Sequence, residues 1–203
     1  MSRPMRDKLS DKSLILIGIP KYLCDKELDD FETNGSSNLK NVKDYVGEYI
    51  NNLEVNLKNG DGIFFCGSNG VGKTMLSCII LKEAYRRRYM CRRISFARYI
   101  DLYTNSWGYE NNVEEVDEYE WYKSCDILVL EELGKEIDSK IAKPVLEDLL
   151  RYRQENNKVT LVCSNLTPED FKQIYGNSIA SLVNGSMTVV KIVSGDMRKR
   201  GNR

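Results

Sequence analysis

The chain contains no histidine among its 203 residues. That absence excludes Ser-His-Asp and Cys-His catalysis, and every metal site that includes a histidine. Cysteine occurs six times, at 24, 66, 78, 91, 125 and 163, but never as C-x2-C, so the spacing suits neither a zinc site nor a short disulfide scaffold. Phe65-Cys66 and Leu161-Val162-Cys163 place thiols inside apolar runs, where reduced cysteine packs as a small hydrophobe in a reducing compartment. Net charge is lacking too: 30 basic residues balance 30 acidic ones. No bulk field therefore favours DNA, RNA or a lipid surface, and any such contact has to come from local patches. Long apolar runs are also missing. The stretch 14–19, after a basic start, ends at Pro20 and is too short for a signal segment. Nothing approaches the roughly 20 apolar residues of a membrane span. Together these absences predict a soluble, cytoplasmic protein with no membrane contact.

What is present supports a real core, since 41% of residues are hydrophobic and 30% charged. Residues 1–12 read as polar and loose, and Asn34-Gly35-Ser36-Ser37-Asn38 as a loop. Leu39, Val42, Val46, Ile50 and Leu53 recur at helical spacing. The turn Asn59-Gly60-Asp61-Gly62 then leads into an apolar strand at 63–66. Strand and helix alternate from there: a helix over 73–88, a strand over 93–97, a helix over 98–107, and a strand over 127–130 running into Glu131-Glu132. Pro144 suits the first turn of a helix continuing to about 155. A strand over 159–163 ends at Ser164-Asn165, and Thr167-Pro168-Glu169-Asp170 has the order of a helix start. A last strand is expected over 187–193, before a basic tail. Apolar strands alternating with helices predict a parallel sheet covered on both faces, a three-layer α/β fold.

Gly67-Ser68-Asn69-Gly70-Val71-Gly72-Lys73-Thr74 fits G-x4-G-K-[ST] without mismatch, after a predicted strand and at the start of a predicted helix. Glycines let backbone N–H groups close around phosphate oxygens, and the helix N-terminus adds its positive end. Lys73 is expected to reach the β- and γ-phosphates of ATP, and the Thr74 hydroxyl to ligand Mg²⁺. Met75 extends the nucleotide-binding run. Downstream, Glu131 is the metal-side candidate and Glu132 the candidate base for the attacking water. A carboxylate pair at a strand end is by itself an ordinary solvated feature; the phosphate loop upstream gives it weight. On position alone, Asn165 reads equally as a turn or cap residue and as a polar group facing the γ-phosphate.

In order along the chain, Gly18-Ile19-Pro20-Lys21-Tyr22 with Phe31, the phosphate loop, Leu128-Val129-Leu130-Glu131-Glu132-Leu133-Gly134, Cys163-Ser164-Asn165-Leu166 and Gly195-Asp196-Met197-Arg198 resemble the AAA+ ATPases of the DnaC/IstB-like family. The family comprises helicase loaders and transposition helper ATPases. The resemblance implies a P-loop NTPase core over 18–203, with 1–17 as a short N-terminal extension. It implies a lead-in segment beside the adenine, and Asn165 as the sensor of the γ-phosphate, acting with Lys73 and Glu132. It further implies an oligomer on single-stranded DNA, partnered by a DnaB-like replicative helicase or a fuller-length loader. The helix with Arg98, Tyr99 and Tyr103 would then face DNA, which agrees with basic residues interleaved with aromatics. The other reading of that helix is a solvated face with both tyrosines in the core.

Three departures from the family pattern stand out. Glu131 replaces the usual aspartate. The neighbourhood of the family's arginine finger, 178–184, holds no arginine. Only about 18 residues precede the lead-in, where loaders usually carry a helicase-docking domain. Charge is also segregated. Residues 82–98 hold seven bases (Lys82, Arg86, Arg87, Arg88, Arg92, Arg93, Arg98) against Glu83, and the tail from Lys191 holds five, including Arg198, Lys199 and Arg200, against Asp196. Residues 110–120 hold six acids and no base. The basic patches suit phosphate contacts of DNA, or acidic and basic faces meeting between subunits. The leading expectation is an ATP-dependent loader of a replicative helicase. A transposition helper ATPase and an ATP-binding regulatory subunit with little hydrolysis are the alternatives, and a small-molecule kinase has little support.

Overall fold

The computed structural model describes residues 9–106, 113–135 and 140–195. Five strands form one parallel sheet: β1 (Gly62–Cys66), β2 (Cys91–Ser95), β3 (Ile127–Leu133), β4 (Val159–Ser164) and β5 (Met187–Lys191), in the order β2-β3-β4-β1-β5. The helices described are α1 (Asp11–Leu16), α2 (Ser37–Asn51), α3 (Leu53–Asn59), α4 (Lys73–Arg86), α5 (Phe96–Asn105), α6 (Val113–Ser124), α7 (Ala142–Glu155), α8 (Pro168–Tyr175) and α9 (Asn177–Ser186).

The strands read as continuous apolar runs because both sheet faces are covered. Ile63 and Phe65 point into one core with Val129, Leu161, and residues of α1 to α4. Phe64 and Cys66 point the other way, into a second core with Leu128, Leu130, Val162, and residues of α5 to α9. This is the expected three-layer α/β architecture. No described helix is long and apolar enough to cross a membrane, and all six cysteines are free and buried.

Several boundaries differ from the sequence reading. The helix expected through Leu53 is interrupted at Asn52, where α2 ends and α3 begins. β2 starts and ends two residues early, because the Ser95 hydroxyl accepts the Arg98 N–H (3.3 Å) and caps α5. The expected end of α5 at Trp107 lies outside the described residues. Residues 11–16, partly assigned to a loose N-terminus, form α1 under a Ser10 cap. Leu14 and Ile17, both ahead of position 18, are buried in the first core. Besides α1, two helices were not expected. α6 has a sequence that reads chiefly as a charge run. α9 is rich in Asn, Ser and Gly, and it gains its stability by burying Ile179, Ala180 and Val183.

Candidate functional site

The C-terminal ends of β1, β3 and β4 meet the N-terminus of α4, the usual place for a ligand in an open parallel sheet. A cleft of about 350 Å³ opens there, lined by Tyr22, Leu23, Asn69, Gly70, Gly72, Lys73, Thr74, Met75, Arg93, Glu131, Glu132, Lys135, Cys163 and Asn165.

The loop between β1 and α4 is shaped from behind. Gly72 has φ +101°, and a Cβ there would come within 2.7 Å of Phe31 Cε2, a ring that is itself fully buried. Gly72→Ala therefore combines backbone strain with overlap. It is expected to lose about 1–3 kcal/mol of stability, read by urea unfolding, and to weaken nucleotide binding in parallel. Lys73, largely buried, donates to the carbonyl oxygens of Gly67 (2.7 Å) and Ser68 (2.8 Å) and to Asn165 Oδ1 (2.8 Å). The Asn165 amide in turn donates to Asn69 Oδ1 (3.0 Å), so one side chain bridges the phosphate loop and the end of β4.

Glu131 is buried and held at both oxygens. Its Oε2 accepts the Thr74 hydroxyl (3.0 Å); its Oε1 accepts Ser77 Oγ and Arg93 Nε, each at 3.3 Å. Thr74 and Glu131 thus present hard oxygen atoms side by side, a donor pair that suits Mg²⁺, which retains waters and phosphate oxygens for its other positions. Glu132 also lines the cleft but is held differently. Between Leu130 and Leu133 the register of β3 against β4 shifts, a bulge that re-aims the intervening side chains. Glu132 sits in it at φ +62°, half-exposed, paired with Lys135 Nζ at 2.6 Å. The bulge is closed by Ser164, whose hydroxyl donates to Leu133 O (2.6 Å). At Gly134 (φ +104°) a Cβ would meet Leu166 at 2.6 Å, which explains Leu-Gly on one strand end and Leu on the other.

The structure thus brings Lys73, Thr74, Glu131, Glu132 and Asn165 into one cleft, with Asn69, Gly70, Gly72 and Met75 in its wall. Gly67 and Ser68 contribute through carbonyls to Lys73. Val71 turns its side chain into the first core. Sequence reading missed Ser77, Arg93, Lys135, Leu23 and Cys163. Ser77 was legible, one turn from Thr74 on the same helix face. Arg93 lies two residues beyond the buried Cys91 on β2 and so on the same face, and a charge on that inward-facing position was the signal.

The proposed DNA-facing residues fare differently. Tyr99 is fully buried, packed on Tyr119 with ring centroids 5.5 Å apart, so it belongs to the core and not to a stacking surface. Tyr103 is half-buried, edge-on to Tyr119, whereas Arg98 is exposed and 3.7 Å from Glu118. Arg198, Lys199 and Arg200 lie outside the described residues. Most of the 82–98 patch is engaged internally. Lys82 and Arg86 meet Glu27, Arg87 meets Glu83, Arg93 meets Glu131, and Arg92 lies over the Trp121 ring at 3.2 Å.

A family profile described as IstB-like ATP binding protein matches residues 10–200. The chain belongs to that family. Among relatives, the replicative helicase loader DnaI of Bacillus subtilis is 25% identical over 114 residues, 56% of this chain and 36% of DnaI. The replicative helicase loader DnaC of Escherichia coli is 23% identical over 149 residues, 73% of this chain and 58% of DnaC. The chain spans about half the length of the curated relatives it matches. A crystal structure of the DnaC helicase loader superposes with a TM-score of 0.73 at 20% identity, covering 86% of this chain and 100% of that one. AMPPCP-bound DnaA from Aquifex aeolicus gives 0.62 at 21% identity, covering 85% and 51%. These neighbours share the AAA+ P-loop fold. Membership of a family described as ATP binding supports nucleotide binding by this chain.

Proposed function

We propose that this chain is an ATP-dependent replication accessory that loads a replicative helicase onto single-stranded DNA, in the cytoplasm and as an oligomer. The observation that carries the reading is the joining of three separate segments at one point: Lys73 to Asn165, and Thr74 to Glu131. A group that engages Lys73 competes with its three present acceptors, the carbonyls of Gly67 and Ser68 and the Asn165 side chain at the end of β4. That is the form a nucleotide sensor takes. The loader role is supported by the names of the relatives, DnaI and DnaC.

Within this reading Lys73 holds the phosphates, Asn165 senses the terminal one, and Glu132 accepts the proton of the attacking water once Lys135 has moved aside. Thr74 and Glu131 would hold Mg²⁺, which neutralises charge on the phosphates. Ser77 and Arg93 fix the Glu131 carboxylate from behind, and so orient the longer side chain that stands where the family usually has aspartate.

The test is a loading assay with circular single-stranded DNA coated by single-strand-binding protein and a hexameric replicative helicase. Helicase recovered on DNA is expected to rise when this protein and ATP are both present, and to fall back with Lys73→Ala. No rise with ATP contradicts the loader reading. A second reading, an ATP-binding regulatory subunit with little hydrolysis, is favoured by α9, which carries no arginine. It predicts tight ATP binding without turnover until another loader subunit is added. The family's transposition helpers give a third outcome, an ATP-dependent stimulation of a transposase in place of a helicase.

A further inference from the structure

The segment from Pro20 to Phe31 supplies Tyr22 and Leu23 to the lining of the cleft that also holds Lys73 and Glu131, and it delivers Phe31 against Gly72. Its regular structure is limited to two 3-10 turns, at Lys21–Leu23 and Leu28–Asp30. What fastens it is α4. Lys82, fully buried, donates to the carbonyl oxygens of Leu23 (3.4 Å), Cys24 (3.3 Å) and Lys26, and lies 3.6 Å from the Glu27 carboxylate. One turn later Arg86 reaches the same carboxylate at 2.6 Å, and Glu83 braces Arg86 and Arg87.

An ammonium has three N–H donors, and three carbonyls of one short stretch receive them here. Burial pushes the Lys82 pKa down, and Glu27 opposes that shift. A buried charge is expensive unless its partners are fixed. Lys82 stands on the helix whose first residue is Lys73, so one rigid element carries the phosphate loop at its N-terminus and grips the base-side wall nine residues later. The spacing between the two ends of the cleft is thereby set by α4.

We propose that Lys82 is a positioning residue for the nucleotide base: it clamps the 20–31 segment on α4 so that Tyr22 and Leu23 meet the base at a fixed distance from the phosphate loop. This rests on the nucleotide reading of the cleft. It predicts a selective defect. Lys82→Met in the full chain is expected to weaken MgADP about tenfold or more while leaving magnesium pyrophosphate within about twofold, both by isothermal titration calorimetry. Glu27→Gln, which changes a half-exposed partner, is expected to act in the same direction and less strongly. In the unmodified protein, MgADP is expected to slow amide exchange over 21–31, and pyrophosphate is not.

Equal losses for both ligands overturn the proposal, since they mark general support of the cleft; so does an unchanged MgADP affinity. Should Lys82→Met fail to fold, Glu27→Gln and the exchange pattern decide the matter. An unmodified protein that binds pyrophosphate and ADP equally well overturns the base contact and the proposal with it, while leaving the phosphate end of the nucleotide reading in place. One that binds neither overturns the nucleotide reading and the clamp with it.

Discussion

Glu132→Gln is expected to lower ATP turnover by at least about a hundredfold while leaving MgATP affinity within about twofold. The geometry separates the two effects. Glu131 is buried and anchored to the loop–helix side through Thr74, Ser77 and Arg93. Glu132, one residue on, is turned out of the strand by the β3 bulge and pairs with Lys135 at 2.6 Å. Glutamine has the same shape and retains a hydrogen-bonding carbonyl, but it accepts no proton from water. The steady-state rate and an equilibrium titration, run on both proteins, check the split. A variant that hydrolyses ATP at the parental rate rules Glu132 out as the base. Loss of binding and turnover together would assign it to holding the nucleotide instead.

Arg153→Met is expected to lose about 3–5 kcal/mol of folding stability, enough to remove much of the net stability of a domain this size. The guanidinium on α7 is fully buried. Its Nε donates to Thr160 Oγ1 (2.9 Å), its Nη1 to the carbonyls of Lys123 and Cys125 (both 2.9 Å), and its Nη2 to Val159 O (2.5 Å). These carbonyls belong to the end of α6, the turn into β3 and the start of β4. One side chain therefore satisfies three elements, and the negative end of α6 lies against its charge. Burial pushes its pKa down, and the neighbouring Cys125 opposes that shift. Methionine fills much of the volume and leaves the carbonyls without their donor. Urea denaturation reads the loss as a lower midpoint at similar slope. A change under about 1 kcal/mol would mean that water or neighbouring groups satisfy the carbonyls equally well. The same contacts make Arg153 a structural arginine and unfit to act as a finger for a neighbouring subunit.

How far the sequence could be read depended on whether a signal was local. The phosphate loop is local: its glycines, lysine and threonine are contiguous, so Lys73 and Thr74 were placed without tertiary information. Glu131 and Asn165 were located by apolar strands that end at them, which the parallel sheet then carries to the same edge, but for Asn165 the site role came only from the family resemblance. Continuous burial, with both faces covered, also made the strands legible, as Ile63-Phe64-Phe65-Cys66 shows. The residues that escaped act at long range. Lys82 looks like one more base in a basic run until the 20–31 segment folds over it, and Arg93 becomes a partner of Glu131 only through the β2–β3 pairing. Of the two readings of Tyr99, DNA-facing or core, the structure selects the core, because α6 packs over α5 and Tyr119 covers it. α9 escaped because its propensity is weak and its stability comes from packing against α7.

The most direct test of the account is a titration of MgATP against the unmodified protein and Lys73→Ala. The account predicts saturable binding at one site per chain, weakened at least about a hundredfold by the substitution, because Lys73 is the cation that joins the phosphate loop to Asn165. Equal affinity in the two proteins would place the nucleotide outside this cleft and contradict the central claim.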